Sequence, residues 1–345
     1  MQCQRFAPMS DTGLTRACHA MYLAGAPADD PDGPVMSERS FTAWLALGWL
    51  EDRPEAWLAR DEAGRPRGWY SAGFPQRENR RRAYLTLLVS PEFRRQGAGT
   101  RLLAHAAARA AQQGRTVLVT QARDGSAAEA FFRAAGGQPG ITEVRRVQRV
   151  TAIGDGQLSE LRATAQPAAA GYSLDRWQGT IPGDQLAGVA AVNDAMADAP
   201  RDDDEESLRW DADRVRADLA RVAAAGNRLY TVAVRHDGSG QLAGLTQIAV
   251  DPADPGWAYQ EITAVAGQHR GHRLGLLLKV AMLEWLRREE PQLHTIITGN
   301  GDTNKHMIAI NEALGYEVLD RWRSWQLDVS RLAAAPAAAS GNTQS

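Results

Sequence analysis

Two stretches of the sequence place glycine and arginine directly before a run of helix-forming residues. The first, SPEFRRQGAGTRLLAHAAARA, spans Ser90–Ala110, and the second, AGQHRGHRLGLLLKVAMLEWL, spans Ala266–Leu286. The start of a helix leaves four backbone N–H groups unpaired, and the aligned peptide dipoles add partial positive charge there. Glycine lets the backbone approach a ligand closely, and arginine supplies a charged fork for phosphate oxygens. Each stretch therefore predicts a cradle for a phosphate or diphosphate group.

Other interpretations of these loops fit the sequence less well. Glycines can serve only to make a tight turn beside solvated arginines, but two copies in the same context disfavour that interpretation. The Walker pattern ends in Gly-Lys-Ser/Thr, which neither loop contains. The dinucleotide fingerprint needs three spaced glycines early in a βαβ unit. Because both loops here follow a hairpin and a third strand, they belong to neither of these classes.

The elements around the two loops form a repeat. Each loop is preceded by a predicted hairpin and a third strand, and followed by a helix, a β-rich segment and a second helix. The hairpins lie at Ala56–Gly73 and Thr231–Val250, the third strands at Ala83–Val89 and Tyr259–Val265, and the β-rich segments at Thr116–Gln121 and His294–Asn300. Arg270 follows Arg94 by 176 residues. We therefore expect one α/β unit to be used twice.

The repeat predicts the domain boundaries. The first domain should span residues 1–153, a connecting segment residues 154–170, and the second domain residues 171–329. The connection is expected in QPAAAGYS, where Ala, Pro and Gly replace the helical pattern. Residues 330–345 contain few bulky apolar side chains, so we expect a disordered tail.

Composition restricts the class of protein. The chain has 345 residues, 44% hydrophobic and 23% charged, which is typical of globular domains. A net charge of −2 gives no overall attraction to nucleic acid or to an anionic membrane. The cysteines, Cys3 and Cys18, have no metal-ligand spacing, and no metal site is predicted. Since we find neither a secretory signal nor a membrane span, we expect a cytoplasmic protein.

At the two loops the sequence resembles the GNAT superfamily, the acyl-CoA-dependent N-acyltransferases. The signature loop of that family is Arg/Gln-x-x-Gly-x-Gly/Ala after its fourth strand. The first loop matches it at every specified position, with the residues Arg94, Arg95, Gln96, Gly97, Ala98 and Gly99. The second loop consists of Arg270, Gly271, His272, Arg273, Leu274 and Gly275, and departs only at Arg273, where the family has glycine. Either a side chain is tolerated there, or the second loop holds a diphosphate in altered geometry.

The resemblance implies the fold and the chemistry. The fold should be α/β (α+β), with two tandem GNAT-like domains, each a mixed, mostly antiparallel sheet flanked by helices; duplicated members include mycothiol synthase. Acetyl-CoA or another acyl-CoA would bind in a V-shaped gap between the fourth and fifth strands. Loop amides would hold its diphosphate, and the fourth strands, ending at Val89 and Val265, would pair with the pantetheine arm. An amine would then attack the thioester carbonyl.

The second copy carries more polar residues around the expected site. Many family members place a tyrosine at the position of Phe132 to protonate the departing thiolate, and Asn311 takes that place in the second copy. Family members use asparagines to hold the donor, which suggests Asn300 and Asn304 as donor-binding residues. Asparagine is also a good helix cap, so capping and ligand binding are both open for these two residues.

Glu261, on the fourth strand of the second copy, is the predicted general base. An amine is mostly protonated at neutral pH, and a carboxylate can remove its proton directly or through water. The corresponding residue in the first copy is Leu85, 176 residues earlier. Because strand residues alternate between faces, Glu261, Thr263 and Val265 should share one side. The alternative is an ordinary exposed strand glutamate.

These observations predict an N-acyltransferase that moves an acyl group, in the first place acetyl, from acyl-CoA to the amine of a small molecule. The C-terminal domain should be the active one, and the N-terminal copy structural or a second CoA site. Two alternatives stay open: a catalytically silent CoA-binding or scaffold protein, and an acyltransferase whose donor is a carrier-protein thioester or an aminoacyl-tRNA. The acceptor, the acyl chain length and the oligomeric state are not predicted.

Overall fold

The computed structural model describes residues 1–48, 54–198, 201–202 and 204–334. The chain divides into two compact units. The first contains Met1–Ile141 and the chain from Trp322 onward, and the second contains Thr142–Arg321.

The first unit is a mixed sheet with helices on both faces. Its elements are β1 Gln2–Phe6, α1 Thr12–Asp29, α2 Glu38–Leu47, β2 Glu55–Arg60, β3 Pro66–Gly73, β4 Arg82–Val89, α3 Ala98–Gln112, β5 Val117–Arg123 and α4 Ala127–Ala134. Strands β1 to β5 lie side by side in chain order. Neighbouring strands are antiparallel except β4 and β5, which are parallel and are connected through α3.

The second unit repeats this order. Its elements are α5 Asp155–Ala165, β7 Tyr172–Gln178, α6 Leu186–Asn193, α7 Ala212–Ala225, β8 Arg228–His236, β9 Leu242–Val250, β10 Trp257–Val265, α8 Leu274–Glu289, β11 Thr295–Gly301 and α9 Lys305–Ala313. Strands β7 to β11 are neighbours in chain order, and the β10–β11 pair is parallel. The predicted fold class, a mostly antiparallel mixed sheet flanked by helices, is therefore confirmed.

The sixth strand of each unit comes from the other half of the sequence. Strand β6 covers Gln138–Arg149 and β12 covers Tyr316–Asp328, followed by α10 at Val329–Ala334. In the second unit Thr295–Gly301 of β11 pair with residues 143–149 of β6, and in the first unit Val117–Arg123 of β5 pair with residues 322–328 of β12. The compact units thus divide the chain at other residues than the predicted boundaries, because a local repeat does not reveal which sheet its last strand joins.

Helices occupy part of the predicted connecting segment and part of the tail that was expected to be disordered. Most of the predicted connecting segment is α5, which is held in the second unit by buried Leu158 and by an ion pair between Arg162 and Glu284. Of the predicted tail, residues 330–334 belong to α10, whose Val329 and Leu332 pack in the core of the first unit. Residues 335–345 lie outside the described part of the chain.

A glycine at the same place in each unit brings the central helix close to the sheet. On Gly68 of β3 an added Cβ would lie 2.5 Å from the carbonyl oxygen of Leu88, and on Gly244 of β9 it would lie 2.8 Å from that of Ala264. Both positions also face the central helix, through Leu102 of α3 or a leucine of α8. No larger residue fits there without moving backbone, so the helix that begins at each predicted loop is fixed against the sheet.

Candidate functional site

A V-shaped gap opens between the two parallel strands of each unit. In the first unit Arg82–Tyr84 of β4 pair with Val117–Val119 of β5, and the two strands then run on to Val89 and Arg123 without pairing to each other. In the second unit residues 257–259 pair with residues 295–297, and β10 and β11 then run on without pairing to each other to Val265 and Gly301. The facing edges of the two parallel strands are therefore separated beside each loop, as the resemblance implied.

The two loops share one backbone conformation although their glycines differ. Arg95 and Gly97 have φ values of 61° and 78°, and the corresponding Gly271 and Arg273 have 88° and 54°. Each loop thus has two left-handed residues, and one of the two is a glycine in each case. A Cβ at Gly97 would meet no atom within 4 Å. Arg273 is therefore tolerated, at a conformational cost of about 1–2 kcal/mol, without altering the loop.

Neither helix start is capped by a side chain. The residues before α3 and α8 are Gly97 and Arg273, and within the described residues no side-chain cap bonds the first-turn amides at either position. The first-turn amides therefore keep the partial positive charge of the helix terminus. Such a terminus suits an anionic group in each loop.

The two signature arginines have different partners. Arg94 forms a bidentate ion pair with Asp29 of α1, with N–O distances of 2.8 and 2.6 Å, and its Nε donates to Val89 O at 3.1 Å. Arg270 instead donates to the carbonyl oxygens of Val265 and Ala195, at 3.4 and 3.3 Å. The Asp29 carboxylate offsets the charge of Arg94, which weakens the attraction of the first loop for a diphosphate.

Three of the remaining loop residues contact backbone carbonyl groups of their own unit. Gln96 donates to the carbonyl of Glu92, Nδ1 of His272 lies 3.1 Å from the carbonyl oxygen of Ala168, and Arg273 donates to the carbonyl of Thr164. Other predicted loop residues line the inner side of the helix start. Ala98 and Leu274 are buried, Gly99 faces Phe131 and Val89, and Gly275 faces Ile310.

Glu261 lies in a β-bulge of β10. Gln260 pairs with Ile248 of β9 while Ile262 pairs with the adjacent Gln247, so Glu261 has no partner across the ladder. The bulge changes which residues face which side. Val265 packs with the core under α8, whereas Ile262 packs with the core under α6 and α7.

The prediction that Glu261, Thr263 and Val265 share one face was wrong, because the bulge interrupts the alternation. The charges that act on Glu261 are Arg221 and Asp218 of α7, which places its carboxyl group on the α7 side of the sheet. Thr263 lies on the other side, where its hydroxyl is 2.8 Å from that of Thr246.

Glu261 is an exposed residue of β10, and neighbouring protein atoms still reduce the hydration of its carboxyl group. Burial raises the pKa of Glu261, Arg221 opposes that shift and Asp218 adds to it. A carboxylate with a raised pKa is a stronger proton acceptor, which suits a general base.

The asparagines of the second unit have distinct roles. Asn304 caps α9 by accepting the backbone N–H of Met307 at 3.2 Å, so capping is confirmed for this residue. Asn300 does not cap the helix, because its Oδ1 accepts from Nδ2 of the fully buried Asn311 at 2.8 Å. Oδ1 of Asn311 in turn accepts from Nζ of Lys279 at 2.9 Å.

Sequence reasoning missed Lys279. The signal was a single lysine in the apolar run LGLLLKVAMLEWL of α8, a position where the repeat has Leu103 in the first unit. Lys279 is only 4% exposed, and Asn311 replaces the buried Phe132. In the second unit, the hydrogen-bonded side chains of Lys279 and Asn311 therefore occupy the place of apolar core residues of the first unit.

Two grooves lie beside the loops. One of about 390 Å³ in the first unit is lined by Gln96, Ala98 and Arg101 of the loop and α3. One of about 570 Å³ in the second unit is lined by α6 and by Ala266, Gly267 and Gln268. Neither of these two grooves is lined by Glu261 or Asn300.

Within the described residues, no cluster of three or more His, Cys, Asp or Glu side chains could hold a metal ion. In that same part of the chain no helix combines the length and apolar character that crossing a bilayer demands.

Comparison with known proteins agrees with this geometry. Residues 18–136 match the model of the acetyltransferase (GNAT) family. The chain is 26% identical to a tandem GNAT protein from the clavulanic acid biosynthesis pathway, with a TM-score of 0.81 over 95% of this chain and 98% of that one. It shares the fold of a GCN5-related N-acetyltransferase from Sphaerobacter thermophilus, at 16% identity and a TM-score of 0.64, with 95% of each chain covered. A search of the curated proteins gives no significant match.

Proposed function

We propose that the protein transfers an acyl group from acyl-CoA to a small-molecule amine in its C-terminal unit. The proposal is supported by the match of residues 18–136 to the acetyltransferase (GNAT) family model and by the similarity of the chain to a tandem GNAT protein. The carrying observation is the bulge at Glu261, which puts a carboxylate with a raised pKa on the α7 side of an open strand gap. No corresponding register shift occurs in β4 of the first unit, where Leu85 pairs with Ala72.

The donor would lie along the gap between β10 and β11. Its diphosphate would take the amides of residues 271–275, and its pantetheine arm would follow the unpaired edge of β10 toward Val265. The amine would approach from the α6 and α7 side, where Glu261 accepts its proton. As the nitrogen–carbon bond forms, the carbon–sulfur bond breaks and the thiolate leaves; Asn311 cannot donate a proton as a tyrosine does, so solvent supplies it.

The experiment is a thiol-release assay with acetyl-CoA and a panel of amines, comparing the wild type with Glu261→Gln. We expect Glu261→Gln to lower turnover by about 10²-fold or more, since general-base catalysis contributes that much. Its affinity for acetyl-CoA should stay within about twofold, because no donor contact is assigned to this carboxylate. Wild-type turnover in the variant would remove Glu261 as the base.

A second candidate is a catalytically silent CoA-binding or scaffold protein. It is favoured by Phe132 and Asn311, which leave both units without a tyrosine at the position of the usual general acid. Calorimetric binding of CoA without thiol release for any amine would support it. If neither occurs, competition of free CoA with a carrier-protein thioester or an aminoacyl-tRNA separates the other donors.

A further inference from the structure

Lys279 is a buried cation that the proposed reaction does not yet use. Its side chain is 4% exposed, and Nζ lies 4.7 Å from the centroid of the Tyr316 ring. Its single hydrogen bond among the described residues goes to Oδ1 of Asn311. Placing a charged amine in such surroundings is costly, and the first unit avoids that cost with Leu103. A buried lysine in one copy therefore calls for a function.

The hydrogen bonds that link Lys279, Asn311 and Asn300 have a defined donor-to-acceptor direction. A protonated lysine only donates, so Asn311 must turn its oxygen toward Lys279 and its NH₂ group toward Asn300. Asn300 then accepts with Oδ1, and its own NH₂ group is the one left for another acceptor. A neutral lysine can also accept, which allows both amides to turn around. The protonation of Lys279 thus decides whether Asn300 offers hydrogen-bond donors or an oxygen.

Asn300, the last residue in this series of hydrogen bonds, lies at the gap between β10 and β11. Asn300 is half-buried and belongs to the part of β11 that has separated from β10, three residues beyond the last pair at Ile297. A thioester arm in the gap carries carbonyl oxygens and a sulfur that becomes negatively charged. These atoms accept hydrogen bonds, so only the donor orientation of Asn300 favours them.

We propose that Lys279 is a positioning residue, whose ammonium group orients Asn311 and thereby presents the amide N–H groups of Asn300 to the thioester arm of the acyl donor. This inference rests on the proposed function, because it requires the donor to occupy the second gap.

Burial, and not a neighbouring charge, shifts the pKa of Lys279. Burial lowers the pKa of Lys279 to about 7, and no charged neighbour contributes to the shift. The titratable groups on the elements packed against α8 are largely paired with each other: Arg162 of α5 with Glu284, Glu290 with Arg228 and Tyr230, and His269 with Tyr172. Tyr316 contributes its ring, and burial raises the pKa of its hydroxyl group. Arg146 of β6 is also buried, and its Nη1 has no hydrogen-bond partner within the described residues.

The chain contains two lysines, which makes the central test direct. Lys279 is buried and Lys305 is exposed, so ¹³C-lysine NMR resolves a test group and an internal reference. We expect Lys279 to titrate near neutral pH, well below the ordinary lysine value of 10.5. The side-chain amide signals of Asn300 and Asn311 should shift with the same midpoint. Titration of Lys279 at the ordinary lysine value, or amide signals that do not follow Lys279, would overturn the proposal without any donor present.

Donor binding supplies the second arm. Acetyl-CoA should bind roughly 3–10-fold more tightly at pH 6 than at pH 8.5, the size expected for one hydrogen bond. Lys279→Met and Asn311→Ala should both abolish this pH dependence, while Lys305→Met keeps it. Asn311→Ala leaves the lysine in place, so it distinguishes positioning through Asn311 from simple charge attraction and still decides if Lys279→Met fails to fold.

A ligand without the arm is the remaining control. Acetyl-CoA should raise the pKa of Lys279, because the ligand favours the charged form, whereas adenosine 3′,5′-bisphosphate carries phosphates only and should raise it less. Equal shifts would overturn the assignment to the thioester arm. Absence of acetyl-CoA binding at all pH values would instead contradict the proposed function. The lysine and amide titrations of the free protein would still decide whether the hydrogen bonds run from Lys279 through Asn311 to Asn300.

Discussion

At the scale of single residues, the two units differ where chemistry would be done and agree where the backbone must be held. Lys279 and Asn311 stand in the second unit where the first has Leu103 and Phe132. Glu261 does not replace Leu85 as the sequence offset predicted, because Gln260 takes the register position of Leu85 and Glu261 is the extra residue of the bulge. Each of the three introduces a titratable or hydrogen-bonding group that the first unit lacks. We interpret this asymmetry as a division between a chemically equipped unit and a largely structural one.

The raised pKa of Glu261 predicts the acid limb of the rate profile. A general base acts only when deprotonated, so turnover should rise with pH through a midpoint above the ordinary glutamate value of about 4.3. Glu261→Gln should lose this limb along with most of the turnover. The measurement is the pH dependence of kcat/KM with one amine at saturating acetyl-CoA. A wild-type midpoint at the ordinary glutamate value would contradict a raised pKa of Glu261.

Lys279 predicts a pH dependence of stability. Its pKa of about 7 in the folded protein lies below the ordinary 10.5, so the unfolded chain binds more protons between these values. Stability therefore rises with pH across that interval through this group. Urea unfolding at pH 7 and pH 10 should show this contribution in the wild type and in Lys305→Met, and its loss in Lys279→Met. Equal stability differences between the two pH values in all three proteins would show that the pKa of Lys279 is not lowered in the folded protein.

At the same scale, we predict that replacing the two signature arginines has unequal effects on donor binding. Arg270→Ala should weaken the binding of acetyl-CoA by about 1–3 kcal/mol if it makes a charged hydrogen bond to the diphosphate. Arg94→Ala should act mainly on stability, because its fork is bound to Asp29. Calorimetry and thermal unfolding of both variants separate the two effects. An unchanged dissociation constant for Arg270→Ala would count against a donor in the second loop.

At the scale of elements, the position of the central helices depends on the glycines beneath them. Gly68→Ala and Gly244→Ala should each cost roughly 1–3 kcal/mol of stability, because the new Cβ meets a backbone carbonyl that cannot move freely. Gly156→Ala in α5 is the control, since its Cβ would meet nothing within 4 Å. Thermal unfolding should show lower stability for the first two variants and an unchanged or higher one for the control.

At the scale of the whole molecule, the exchanged sixth strands make each half of the sequence incomplete. A chain ending at residue 170 lacks the strand that pairs with β5, and a chain beginning at residue 171 lacks the strand that pairs with β11. We expect either half alone to aggregate through its open sheet edge, and the two co-expressed halves to recover a folded complex. Size-exclusion chromatography and circular dichroism of the halves, separate and together, check this; two stable separate halves would contradict it.

The sequence by itself determined what depends on local patterns: the two loops, the strands and helices around them, the duplication, and the family that these features resemble. The strand gap was implied by that resemblance, and capping was one of two roles that the sequence left open for Asn304. Only the tertiary structure decided the exchanged strands, the bulge that turns Glu261 toward α7, the ion pair of Arg94 with Asp29, and the chain from Lys279 to Asn300. Each of these joins residues far apart in sequence or shifts a register by one residue, and no local periodicity records either event.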